Sequence, residues 1–202
     1  MDRRLFLAAA VLASTSAVTA IAQTAPPTRV RGVIAAVEGN KMTVNSRDGQ
    51  KLEVTLNEPP TVLTVKKVDL NSIAENAYVG VATRTGADGK LTALEVLVLP
   101  EASRGSGEGY YAWDLEPGSM MTNGTVKGAA TVGSGRQLSL TYKGGSNVIF
   151  VPPSAPVVTF APAERADVKA GAPIFFGATK DAEGKLSAGR VIVGKDGVAP
   201  PM

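Results

Sequence analysis

From residue 30 onward, apolar and polar residues alternate in short runs broken by glycine-containing turns. Val44, Leu52, Val54 and Leu56 hold alternating apolar positions around Arg47-Asp48-Gly49-Gln50. A period of two marks strands with one buried face, and Asp-Gly permits the positive φ that a tight hairpin needs. The same logic predicts a hairpin at Ala87-Asp88-Gly89-Lys90, between strands over 78–85 and 91–99. Another lies at Glu183-Gly184, between strands over 174–179 and 186–193. Asp69-Leu70-Asn71-Ser72-Ile73 and Ala166-Asp167-Val168 predict short helical turns capped by the Asp. Pro59-Pro60 and Pro152-Pro153 predict bends, with strands resuming at Thr61 and Val157.

These elements occur twice. Residues 30–99 begin VRGVIAAVEGNKMTV and end GADGKLTALEVLVL, while 126–194 begin VKGAATVGSGRQLSL and end DAEGKLSAGRVIVG. Gly32, Gly39 and Gly49 recur 96 positions later as Gly128, Gly135 and Gly145. Gly89-Lys90-Leu91 recurs 95 positions later as Gly184-Lys185-Leu186, so one residue is lost in between. Matched turns at both ends of so long a unit indicate an internal duplication. Five or six short strands and one helical turn per unit predict an all-β chain of two tandem small barrels, because closure removes sheet edges. The expected divisions are 28–99 and 123–195 for the barrels, 100–122 for a connector, and 196–202 for a loose tail.

Strand–hairpin–strand, a short turn, then DGK-L-x-A and a last strand resemble a bacterial secreted family of OB-like small β-barrel domains of unknown function, present here as two tandem copies. The resemblance implies a fold and a compartment and brings no catalytic residues with it.

The N-terminus points to the same compartment. Arg3 and Arg4 precede an apolar run over 5–18, and Ala20-Ile21-Ala22 has the small-x-small pattern of a signal peptidase site. Residues 1–22 are therefore expected to be a signal peptide, removed after Ala22 in a bacterial periplasm. The run is shorter than the roughly 20 residues that span a bilayer. Arg3-Arg4-Leu5-Phe6-Leu7 resembles a twin-arginine core, so that route and the Sec route both stay open.

Composition narrows the chemistry. The chain of 202 residues has no Cys and no His. That excludes disulfides, thiolate metal sites, a Cys nucleophile and the commonest general base. No Ser has a Lys three residues on, and no Gly-x-Ser-x-Gly or phosphate-cradling loop occurs. The acid pairs Asp114/Glu116 and Asp181/Glu183 fall in turn-like segments, where solvated charge is the simpler reading. No enzyme activity, cofactor or nucleic-acid partner is expected.

The connector, PEASRGSGEGYYAWDLEPGSMMT over 100–122, is unusual. Its Gly/Ser-rich first part is expected to be flexible. Tyr110, Tyr111 and Trp113 then fall within four positions, beside Asp114 and Glu116. Two readings follow: a strut whose rings fill the seam between barrels, or a binding site for an envelope protein or a glycan. The connector has one basic residue against four acidic ones, and 123–195 has nine against four, so the strap is expected to dock on the second barrel. Met120 and Met121 are weak candidates for a metal site, as soft thioethers beside the acids. Chains resembling this one through Trp-Asp-Leu-x-Pro-Gly-Ser are sometimes described as metal-transporter components. The expected function is an exported, non-enzymatic binding or adaptor protein of the bacterial envelope. A metal-linked accessory protein of an envelope transporter comes second and an envelope hydrolase last.

Overall fold

The computed structural model describes residues 27–201, so the expected signal peptide lies outside the described residues. The chain is all-β. Strands β1 (Thr28–Glu38), β2 (Lys41–Ser46) and β3 (Lys51–Lys67) form an antiparallel meander, followed by the hairpin β4 (Tyr78–Thr85) and β5 (Leu91–Leu99). After the connector strand β6 (Gly109–Ala112) comes a second meander, β7 (Met120–Val132), β8 (Gly135–Tyr142) and β9 (Gly145–Val151). Strand β10 (Val157–Pro162) and the hairpin β11 (Pro173–Lys180) and β12 (Leu186–Val193) complete the chain. Both last hairpins sit where the Asp-Gly and Glu-Gly turns put them.

The pairing differs from one barrel per sequence unit. The first meander closes into a five-stranded barrel with the last hairpin of the chain: β1 pairs with β11, β11 with β12, and β12 runs parallel to β3. The other seven strands include a second ring, β5–β4–β7–β8–β9, in which β5 meets β9 over Leu91↔Ile149 and Thr92↔Phe150. Each meander is thus completed by the hairpin of the opposite unit. The physical reason lies in β3. Its ladder with β12 is bulged around Pro59-Pro60, jumping from Leu56 to Thr61 where the strand was expected to resume, and β3 then runs on past its own barrel to Lys67. The hairpin that follows lands on the other side of the molecule.

The exchange is symmetric about the antiparallel contact of β3 with β10, where Val65 pairs with Phe160. Parallel pairs repeat on either side, Val62↔Val191 answering Val96↔Val157. In the second unit the Pro bend is a true break, with β10 beginning at Val157 as expected.

Three apolar clusters follow. One fills the closed barrel and includes Ile34, Met42, Leu56 and Phe176; a second fills the other ring with Val79, Val81, Leu138 and Ile149. The third, Val65, Leu97, Val158 and Ile192 with Phe160 and Phe175 against it, fills the seam. Strand β12 is buried on both faces, since Val191 and Val193 face the barrel and Ile192 the seam. Phe175 and Phe176 divide in the same way, as neighbours on a strand must.

A 70-residue unit buries little surface by itself, and here each lacks two strands of its ring. Residues 27–99 and 100–201 made separately should show no cooperative urea transition as monomers. Mixing them in equal amounts should restore one, followed by circular dichroism; a folded monomeric 27–99 fragment would contradict the pairing.

Candidate functional site

The connector is a fixed strap. It starts with a 3₁₀ turn at Glu101–Ser103, after which Arg104 binds back to Glu101 (Nε–Oε1 2.5 Å) and donates to the Asn76 carbonyl (2.7 Å) and Thr125 Oγ1 (3.1 Å). The expected flexible segment is therefore tied down, its glycines supplying turns rather than slack. Tyr78 donates its hydroxyl to the Ser106 carbonyl at 3.0 Å. Strand β6 then adds to β7, pairing Tyr110 with Thr122 and Tyr111 with Met121.

Directly opposed residues in a sheet share a face. Across β5, β4, β7 and β6 one such row reads Glu95, Ala82, Met121, Tyr111. Met121 is buried, and its sulfur packs near Gly80, where a Cβ would lie 3.7 Å from it and 2.6 Å from Asn123 Oδ1. Asn123 in turn donates to Tyr111 Oη (3.0 Å) and to the Gly107 carbonyl (3.1 Å). Met120 projects from the opposite face, so the two thioethers are not brought together around one point.

Beyond Tyr111 the strap crosses to the closed barrel. Trp113 stands edge-on to Tyr111 at 6.2 Å, and the Arg29 guanidinium lies over its ring at 3.9 Å. Arg31 is 5.7 Å from the same ring and 4.9 Å from that of Phe175. Asp114 pairs with Arg31 at 2.9 Å and Arg29 at 3.8 Å, while Arg47 donates to its carbonyl at 3.0 Å. Burial pushes the Asp114 carboxyl up, but the Arg31 hydrogen bond and the charges of Arg31 and Arg29 prevail and hold it low. Ser119 closes the turn, donating to the Trp113 carbonyl (3.1 Å) and accepting from the Glu116 N–H (3.2 Å). Glu116 lines a shallow recess together with Arg47 and Trp113.

The strap's acidic corner therefore docks on β1 and the β2–β3 turn, not on the more basic second unit as expected. Local geometry overrides unit charge: two arginines of the first unit meet one carboxylate and a third takes the carbonyl of the same residue. The second unit is engaged earlier, where Glu108 accepts from the Lys143 N–H at 3.1 Å and Tyr110 lies 6.4 Å from Tyr142. Arg47 and Lys143 are equivalent under the 96-residue repeat, so the strap grips the same turn of both halves.

Comparison of the chain with family models, curated proteins and solved structures found no match.

Two features escaped the sequence reading. The first is an open cleft of about 470 Å³ at the strap corner, lined by Arg29, Arg31, Arg47, Lys180, Asp48 and Asp114. Asp48 is spent within its turn, accepting from Ser46 Oγ and from Gln50 Nε2. Among the described residues neither Arg47 nor Lys180 has a carboxylate within 4 Å. The second is Glu95, 1% exposed, with no hydrogen-bond partner for either carboxylate oxygen among the described residues. Burial raises it to about 8, with the Arg31 charge opposing. A lone acid within ALEVLVL was the available signal.

Glu95 folds neutral but is ionised in the unfolded chain above its ordinary range near 4.5. Its contribution is full below that value and is lost as pH rises toward 8, at up to about 1.4 kcal/mol per pH unit. Urea midpoints at pH 5, 6.5 and 8 should fall steadily in the native chain and flatten in Glu95→Gln. Trp113→Ala removes a half-buried ring and its cation contact and should cost about 2–3 kcal/mol, read by the same denaturation.

Proposed function

We propose that the protein is an exported, non-enzymatic binding or adaptor module of the bacterial cell envelope, built on two interlocked OB-like barrels. The observation that carries this reading is the convergence of Arg29, Arg31, Arg47 and Lys180, from β1, the β2–β3 turn and β11, on one open cleft. Concave sites with a few convergent polar groups are where ligands bind. The strap supports the cleft as a strut, because the rings of Tyr111 and Trp113 are packed against Asn123, Arg29 and Arg31. Tyr110, 38% exposed on the edge strand, is the aromatic left for direct contact with a partner. The metal-linked alternative has no comparable geometry behind it, since Met120 and Met121 face apart.

The reading is tested with residues 23–202, using the single tryptophan as reporter. Titration with peptidoglycan fragments and with periplasmic extract should give a saturable change in Trp113 emission with at least one of them, and mass spectrometry should find the fragments intact. Accumulating cleavage products would overturn the non-enzymatic reading. A signal unmoved by both titrants, with calorimetry equally silent, would overturn binding.

A further inference from the structure

We infer that the cleft beside Asp114 receives an acidic peptide segment of a partner protein, an inference that rests on the binding-module reading above. The strap displays the recognition in cis. Its Asp114 carboxylate sits on Arg31 and Arg29, and its Asp114 main-chain carbonyl takes Arg47 Nη2. Carboxylate and peptide carbonyl together are what a peptide offers and what a free anion lacks.

The cationic side chains are only partly used by this internal occupant. Among the described residues Arg47 engages one nitrogen, and Lys180 on the far wall meets no carboxylate. Lys180 lies beside the β11–β12 turn, its Cε 3.4 Å from where a Cβ of Gly184 would stand. The floor between the two walls is aliphatic, formed by half-buried Leu52 and Leu186. The cleft thus matches an acidic residue next to an aliphatic one.

A stacking ligand fits less well. Arg29 covers one face of Trp113 and Tyr111 meets it edge-on, which leaves no bare ring pair at Trp113 to sandwich a sugar.

The test uses the mature chain with hexaglutamate, hexaglutamine and inorganic phosphate as probes, followed by calorimetry at low and moderate salt. Hexaglutamate should bind with an affinity that falls as salt rises, and hexaglutamine should not bind. Charge reversal in R47E/K180E should weaken hexaglutamate at least tenfold, whereas K127E/K169E, the same charge change elsewhere on the surface, should alter it less than twofold. Asp114→Asn frees Arg29 and Arg31 of their internal carboxylate and should tighten binding several-fold, with circular dichroism confirming the fold of each variant. Equal losses in both double variants would mean diffuse attraction and overturn the site. Phosphate competing as well as hexaglutamate would overturn the peptide. Absence of hexaglutamate binding in a folded chain that still answers peptidoglycan fragments or extract would overturn this inference and leave the binding-module reading standing.

Discussion

The parallel pairs Val62↔Val191 and Val96↔Val157 tie the two halves of the chain into one object. A parallel strand pair demands a distant connection, and here each half supplies the strand that the other lacks. The closed barrel core and the seam both depend on it, because β12 contributes Val191 and Val193 to one and Ile192 to the other. A strand buried on both faces reads as an apolar run, and VIV in β12 and VLVL in β5 are such runs.

The duplication is close to symmetric, and the strap breaks that symmetry. Glu95 and Arg190 are equivalent under the 95-residue repeat, yet Glu95 is buried and Arg190 exposed. The difference is the row Met121–Tyr111 laid across one side of the molecule. The arginines of β1 follow the same pattern. Arg31 is drawn under Trp113 and Asp114, while its counterpart Lys127 stays in solvent. The carboxylate wall of the cleft at this corner thus comes from the connector, through Asp114, which adds chemistry that the repeated unit does not carry twice.

Strand positions and turns were legible in the sequence because they depend on neighbours a few residues apart. Gly89 and Gly184 mark their hairpins through local φ alone, and both adopt positive values. The duplication was legible for the same reason. Which hairpin completes which meander was not, since alternation records that a face is buried and not by whom. At the candidate site Tyr111, Trp113 and Asp114 stood out by composition, and the structure does bring them together with Met121 below. Arg29, Arg31, Arg47 and Lys180 did not stand out, because scattered basic residues on strands and turns acquire meaning only when the fold gathers them. Charge summed over whole units pointed to the wrong docking surface for that reason.

Closure by the last hairpin also orders the life of the chain before it is folded. Thr28 pairs with Ala178, and Leu56 with Ala188, so the first three strands emerge from the ribosome long before their partners exist. Until then β1 and β3 hold open edges beside an unfilled apolar interior, the state in which β-chains stick to one another. Contacts this distant in sequence also form slowly. The first three strands consequently reach their closed state late, only once β11 and β12 have been made.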